Sequence, residues 1–242
     1  MVFVSVFSED FFTLGNFKNL LRSSFPLLMA ALGQTLIILT GGIDLSLGGI
    51  VALCNVVCVL SMDPDTVFGF VPALSAAVVV GLLCGALNGI LITKGRLAPI
   101  IVTIATTAVF DGLALLLMPN PGGSVHRGFA KFLTRGLSGA IPFILFLFIL
   151  CLVRSLANST PFGKALRAIG GSENAAYSTG IRVGKIKFKA YCLAGVLCAA
   201  AGIFLSAQMN SADATIGKNY AMNAITAAVV GGTAMTGAVG DP

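Results

Sequence analysis

The sequence contains few charged residues and a single histidine. Charged residues make up 10% of the chain, whereas hydrophobic residues make up 57% and the mean hydropathy is +0.98. This composition excludes a water-soluble domain, because a chain this apolar would not stay dispersed in water. The apolar runs lack the alternation of β-strands and approach the length of about 20 residues that a helix needs to cross a bilayer. The sequence therefore predicts an all-α, polytopic transmembrane helical bundle.

Several kinds of functional site are also missing from the sequence. No phosphate-binding GxxxxGK[ST] motif occurs, so we expect no nucleotide to bind this chain. His126 has no Ser–Asp or metal-ligand companions, which argues against catalysis. The six cysteines lie in apolar runs, and Cys54 and Cys58 share a helix face without a nearby histidine or carboxylate. They are interpreted as small apolar filler rather than as metal or disulfide sites, and we expect no catalytic residue, metal or cofactor.

The apolar residues form six clear segments, and a seventh begins near Tyr220. We predict about six complete spans with partial spans at the termini, all within one domain, 1–242. The seven residues Met1–Phe7 are too few to span, and no basic region or cleavage site supports a signal peptide there. The six segments are about Phe25–Thr40, Gly49–Met62, Val67–Thr93, Pro99–Met118, Ile141–Ala157 and Lys189–Gln208.

The basic residues predict the orientation, because cytoplasmic loops of membrane proteins collect Lys and Arg. Residues 154–189 contain seven basic residues and one acid, Glu173, so we place this segment in the cytoplasm. Lys94 and Arg96 then also lie inside, and Asp63–Asp65 lies outside. The loop Pro119–Gly139 falls outside although it carries three basic residues. The net charge of +6 is therefore explained by basic residues in the loops that orient the spans, not by nucleic-acid binding.

A polar, glycine-rich break interrupts the first long apolar stretch at Gly41–Gly49, GGIDLSLGG. Paired glycines release the helix geometry, and Asp44 or Ser46 can cap the helix that follows. The alternative is that Asp44 lies near a permeation path, since ionisable residues at membrane depth are costly and often functional. Asn88 lies among apolar residues and needs a hydrogen-bond partner, either another helix or a substrate. We name Asp44, Ser46 and Asn88 as the candidate translocation path.

A second specific segment is Thr160–Ile181, TPFGKALRAIGGSENAAYSTGI, between two apolar runs. Glu173 and Asn174 open a predicted short helix with an acid in its first turn. Such a helix, with small residues on one face, can dock in a groove of a partner. The alternative is an amphipathic helix held at the lipid headgroups by its basic residues.

Both segments resemble those of a known family. TLIILTGGIDLSLGGIVAL and the form FG–AIGG–AA–GI are similar to signatures of the permease subunits of bacterial ABC importers for monosaccharides, of the ribose, xylose and galactose type. Ser172 and Thr179 replace the usual Asn and Ser. Asp111 stands where the family usually has Arg, so no role is transferred to it. The resemblance also implies that the chain is truncated at both ends.

The resemblance implies a multi-pass permease subunit of the bacterial inner membrane that is not itself an enzyme. Its partners would be a cytoplasmic ATPase that uses the ATP, a second permease copy, identical or not, and a periplasmic sugar-binding protein. The loop at about 158–188 would couple the ATPase to the membrane helices. The coupling residues are then Phe162, Gly163, Gly170, Gly171, Glu173, Asn174, Ala175, Ala176 and Gly180.

Two further interpretations stay open at this stage. A secondary, ion-coupled transporter is the alternative function, with Asp44 and Asp111 as weak candidates for ion coupling. In addition, LTGGIDLSLGGI at Leu39–Ile50 echoes VVGGTAMTGAVG at Val229–Gly240, with Gly41–Gly42 in register with Gly231–Gly232. Internal duplication and chance repetition of small residues both account for this echo.

Overall fold

The computed structural model describes residues 12–66 and 68–242, so Met1–Phe7 lies outside the described residues. The described part contains ten α-helices, and its only β pairing is an isolated bridge between Gly122 and Ala212. In chain order the helices are α1 Leu14–Ile38, α2 Leu47–Leu60, α3 Phe70–Thr93, α4 Pro99–Leu117, α5 Arg127–Gly139, α6 Ile141–Ser159, α7 Pro161–Gly171, α8 Glu173–Ser178, α9 Val183–Met209 and α10 Tyr220–Val230.

The predicted fold class is confirmed. Five of the described helices are long and apolar enough to cross a membrane, namely α1, α3, α4, α6 and α9. The predicted segment Gly49–Met62 forms α2, which has only 14 residues. Helix α1 begins at Leu14, well before the predicted Phe25, because Thr13 caps it by accepting from the Asn16 N–H at 3.2 Å. The residues between Thr13 and Phe25, several of them polar, therefore form the first turns of α1.

Helix α9 lies at the centre of the bundle and packs against α1, α2 and α3. The contact with α3 depends on glycine. A Cβ atom on Gly81 would overlap the carbonyl oxygen of Gly195, and one on Gly85 would overlap that of Tyr191. The two backbones thus approach to the distance that small residues allow in membrane bundles. This packing fixes the side of α9 that faces α3, and with it the position of Tyr191.

The connections alternate between the two ends of the bundle. At the loop end, which holds α7 and α8, the Ala238 N–H donates to the Leu39 carbonyl at 3.2 Å. At the opposite end, the His126 N–H donates to the Met62 sulfur at 3.2 Å. The loop that contains Asp65 follows Met62, so it lies away from Ser172 along the bundle. Which of the two ends faces the cytoplasm stays a prediction from the basic residues.

The predicted loop Pro119–Gly139 is wrong in its second half, which forms α5. His126 caps this helix, since its Nδ1 accepts from the Phe129 N–H at 3.1 Å. The helix is amphipathic: Ala130 and Thr134 are buried, while Lys131 and Arg135 are exposed. The apolar period of this helix was hard to recognise in the sequence, because only one narrow side of the helix faces the bundle and charged residues and glycines occupy most of the rest.

Candidate functional site

The segment after α6 forms two helices, not the single short helix that we predicted. Thr160 caps α7 by accepting from the Gly163 N–H at 3.3 Å, and Pro161 occupies the first turn, where its missing N–H costs nothing. Ser172 caps α8 in the same way, accepting from the Ala175 N–H at 3.3 Å. Two caps twelve residues apart along the sequence thus produce a compact helical hairpin.

The predicted coupling residues fall into an exposed and a buried group. Ala176 is 3% exposed and packs with Ile169 and Val183, so it holds the hairpin together. Tyr177, which we did not predict, is 76% exposed. Gly163 is buried, and Phe162 and Gly170 are partly buried. The exposed members are Gly171, Glu173, Asn174, Ala175 and Gly180.

Arg167 ties the hairpin to the end of the chain, a role that the sequence did not reveal. Its guanidinium donates to the Ala157 carbonyl at 2.8 Å and to the Gly240 carbonyl at 2.9 Å, and it also bonds to the Asn158 side chain. Asn158 in turn donates to Asp241 at 2.8 Å. From the sequence, the basic residues of this segment indicated membrane topology or contact with lipid headgroups, and neither interpretation involves these hydrogen bonds. Its fixed, multiple hydrogen bonds make it a structural clamp.

Three glycines meet where the hairpin touches the rest of the bundle. We call Gly41, Gly170 and Gly237 the glycine junction. A Cβ on Gly170 would overlap the Leu39 carbonyl oxygen and the Ala238 nitrogen. A Cβ on Gly237, whose φ is +87°, would lie 2.9 Å from the Gly41 nitrogen and 3.0 Å from the Gly170 Cα.

The glycine junction brings together the two echoing segments that the sequence singled out. One is the break after α1, the other follows α10, and the end of α7 is pressed between them. A shift of α7 cannot be absorbed by flexible side chains here, because backbone touches backbone. The hairpin is therefore in direct mechanical contact with the break that carries Asp44.

A buried polar cluster lies in that break, next to the glycine junction. The Asp44 carboxylate accepts from the Ser46 N–H and from the Ser46 hydroxyl, each at 2.7 Å. The Asn88 amide of α3 donates to the Ser46 oxygen at 2.7 Å. The structure thus joins all three residues of the predicted path. Asp44 is 1% exposed, and Ser46 and Asn88 are fully buried.

The hypothesis that Asp44 or Ser46 caps α2 needs correction. Ser46 occupies the N-cap position with φ −84° and ψ −7°, but its side chain makes no capping hydrogen bond. Asp44 accepts from Ser46 itself rather than from a helix N–H. The carboxylate therefore shapes the turn before α2, and Ser46 is occupied by Asn88 on another helix.

Two residues that we did not predict complete the cluster. With its amide oriented to satisfy both groups, Gln34 donates to the Asp44 carbonyl at 3.1 Å and accepts from the Asp44 N–H at 3.3 Å. Tyr191 of α9 is 1% exposed, and its hydroxyl has no partner among the described residues. A Cβ on Gly42 would lie 3.1 Å from that hydroxyl. Gln34 was hidden because it lies inside an apolar run, and Tyr191 because its neighbours are remote in sequence.

The cluster keeps unused hydrogen-bonding capacity. The Asn88 Oδ1 atom, like the Tyr191 hydroxyl, is buried without a partner in the described part of the chain. Buried polar atoms are normally paired, and each exception calls for an explanation. These two atoms lie on α3 and α9, which pack against each other and both contact the break, so a small rearrangement of the break would change what they meet.

The remaining candidates lie elsewhere. Asp111 of α4 is partly buried, and a Cβ on Gly49 would lie 3.0 Å from its Oδ1 atom. His126 acts as a helix cap at the opposite end. Four of the cysteines are buried, Cys192 is partly buried and Cys151 is exposed. Among residues 12–66 and 68–242, no group of three His, Cys, Asp or Glu side chains could hold a metal ion.

Comparison with known proteins gives a consistent result. A family model described as the permease component of branched-chain amino acid transport systems matches residues 16–240. The ribose import permease of Bacillus subtilis is 40% identical over 99% of this chain and 75% of its own length. That of Escherichia coli K12 is 33% identical over 98% of this chain and 75% of its own length.

An autoinducer 2 import permease of Yersinia pseudotuberculosis is also 33% identical, over 98% of this chain and 68% of its own length. No solved structure matches the chain. The match to the family model extends over almost all of the described helices, from α1 to the segment after α10. The chain therefore belongs to the permease-component family of such transport systems, as a multi-pass membrane protein similar to the ribose import permeases.

Proposed function

We propose that this chain is the membrane-spanning permease subunit of an ATP-driven importer for a monosaccharide or a related small polar solute. The proposal of a sugar is supported by the relatives, whose names specify import of ribose or of autoinducer 2. ATP is hydrolysed by a separate cytoplasmic subunit, a second permease copy completes the path, and an external binding protein delivers the solute. The site of action is the bacterial inner membrane.

The glycine junction is the observation that carries the proposal of coupling. The α7–α8 hairpin presents Glu173, Asn174, Ala175 and Tyr177 outward, where a partner can reach them. On its other side the hairpin presses Gly170 onto the backbone of Leu39 and Ala238. A partner that moves the hairpin therefore moves the break between α1 and α2.

In this proposal the break has two arrangements, and the buried polar cluster is closed in the one that the structure contains. In the present arrangement Asp44, Ser46 and Asn88 bond to one another and are closed to solvent. Displacement of Leu39–Gly41 would separate Ser46 from Asn88 and free their hydrogen-bonding groups toward a passing polyol. In this proposal the ATPase supplies that displacement, because packed backbones switch between discrete positions and do not deform continuously.

A secondary transporter is the competing function. It is expected to carry intramembrane groups that bind and release a coupling ion, and Asp44 is a candidate for such a group. In this structure the Asp44 Oδ1 atom is already engaged by two donors of Ser46 at 2.7 Å. That engagement favours a carboxylate that shapes the break over one that exchanges its partner at every cycle.

Reconstitution separates the two functions. The assembled transporter, placed in proteoliposomes with its ATPase and binding protein, should take up labelled ribose when ATP is supplied to the ATPase side. Dissipation of ion gradients by ionophores should leave the initial rate unchanged. Uptake that needs no ATP and collapses with the ion gradient would instead establish the secondary transporter.

A further inference from the structure

A basic cavity lies at the opposite end of the bundle, far from the hairpin and the polar cluster. It has a volume of about 560 Å³ and lies between the first half of α1, helix α5 and the last residues of α9. Arg22, Arg127, Lys131 and Arg135 line it. A neighbouring cavity of about 610 Å³ shares Arg22 and Arg135 and adds Lys18.

The charge of this cavity is one-sided. No carboxylate is among the described residues that line either cavity. Like charges around one cavity repel one another. In addition, the Nε atom of Arg22 is buried and has no partner in the described part of the chain. A buried guanidinium nitrogen with no described partner can donate a hydrogen bond to an anionic acceptor.

The position of the cations also runs against membrane topology. Basic residues concentrate on the cytoplasmic side, whereas this cavity lies at the end away from the hairpin, which the proposed function places in the cytoplasm. Topology explains the basic residues of α7–α9 but leaves those of α5 without a reason. Binding of an anionic ligand would explain why α5 carries these basic residues.

Helix α5 has the form of a helix that lies in the membrane interface. Arg127, Lys131 and Arg135 follow at intervals of four residues and occupy one side, while Ala130 and Thr134 are buried against the bundle. Phe132 points outward and is 63% exposed, and Leu137 at the kinked end is 72% exposed. Exposed apolar residues beside a basic side are typical of interfacial helices that contact anionic lipids.

We propose that this cavity binds the phosphate group of an anionic phospholipid of the outer leaflet, with a headgroup of the phosphatidylglycerol kind. The guanidinium groups of Arg22, Arg127 and Arg135 take the phosphate oxygens, which match their planar geometry. The acyl chains lie along Phe132 and Leu137. The Gln208 Oε1 atom, a buried acceptor without a described partner at the cavity wall, takes a headgroup hydroxyl.

The test uses the assembled transporter purified in detergent and three additives: phosphatidylglycerol, phosphatidylcholine and inorganic phosphate. Thermal unfolding and native mass spectrometry report binding. We expect phosphatidylglycerol to raise the unfolding temperature by several degrees and to remain bound. Phosphatidylcholine and inorganic phosphate should have much smaller effects.

A matched pair of variants assigns the effect to the cavity. Arg127→Gln/Lys131→Gln/Arg135→Gln should weaken phosphatidylglycerol binding at least tenfold. Lys164→Gln/Arg182→Gln/Lys185→Gln removes three exposed charges at the loop end and should leave binding intact. Arg127→Gln alone, which removes one exposed charge, should give a partial loss and serves if the triple variant fails to fold.

Three results would overturn the proposal. Equal phosphatidylglycerol binding by both triple variants would remove the cavity as the site. Inorganic phosphate acting as strongly as the lipid would identify a soluble anion as the occupant. The third result is a triple variant of α5 that still binds the lipid but has lost affinity for the binding protein. That result would assign the basic surface to an acidic protein partner.

Discussion

Gly170→Ala should lower the rate of ATP-driven uptake by the assembled transporter at least tenfold. We expect the variant chain still to insert in the membrane. The added Cβ would overlap the Leu39 carbonyl oxygen and the Ala238 nitrogen, both of them backbone atoms. Backbone has no rotamer to change, so the hairpin must move away from the break, at a cost of about 1–3 kcal/mol for overpacking. Uptake of labelled sugar and substrate-stimulated ATP hydrolysis measure the effect together. We expect basal ATP hydrolysis to persist while its stimulation by substrate is lost.

Gly171→Ala is the matched control for this substitution. A Cβ on Gly171 would lie 3.8 Å from the Ala238 side chain, which is an ordinary contact distance. Both substitutions replace glycine by alanine, so they change the helix propensity equally. The two positions are also adjacent, at the end of α7. Normal uptake by Gly170→Ala, or an equal loss in both variants, would contradict a role for the glycine junction in coupling. Failure of the reconstituted parent to use ATP would instead contradict the proposed function itself.

Asp44→Ala should strongly destabilise the protein in detergent, whereas Asp44→Asn should fold and transport. Alanine leaves the Ser46 N–H buried without an acceptor, which costs about 1–3 kcal/mol. Asparagine keeps an oxygen at the Oδ1 position and removes only the charge. Thermal unfolding and uptake should both be measured. An Asn variant that is well folded but does not transport would show that the charge itself takes part in translocation.

Asp213 provides an internal control for Asp44. It accepts from the Thr215 N–H at 2.7 Å and from the Thr215 hydroxyl at 2.8 Å, which is the same turn in a more exposed place. Water can replace these bonds when the carboxylate is removed. Asp213→Ala should therefore lower the unfolding temperature much less than Asp44→Ala. Equal decreases in the unfolding temperature would mean that loss of the turn itself, and not its burial, determines the loss of stability.

The long helices could be predicted because hydrophobic length alone identifies a membrane span. Helix α5 could not, since only Ala130 and Thr134 mark its buried side and the basic residues dominate its composition. Helix α7 was missed although Phe162, Ala165, Leu166 and Ile169 follow the helical period, because its three glycines argue against a helix.

The site was predictable only in part. The motif around Asp44 and Ser46 was recognisable as a break, and Asn88 as a residue in need of a partner. That Ser46 is this partner depends on how α3 packs beside the break, which one sequence does not reveal. The contacts of Gln34, Tyr191 and Gly170 likewise join segments that are distant along the chain. The similarity of Leu39–Ile50 to Val229–Gly240 was visible in the sequence, but the contact between Gly41 and Gly237 was not.

Cross-linking at the hairpin tests most directly whether this chain couples to an ATPase. After removal of the native cysteines, Ala175→Cys and Ala176→Cys place a thiol at adjacent positions, of which 175 is exposed and 176 is buried. In the assembled transporter we expect a short bifunctional reagent to join residue 175 to the ATPase subunit and to leave residue 176 unlinked. A transporter that takes up sugar normally but gives no link from residue 175 would contradict docking of the ATPase on this face.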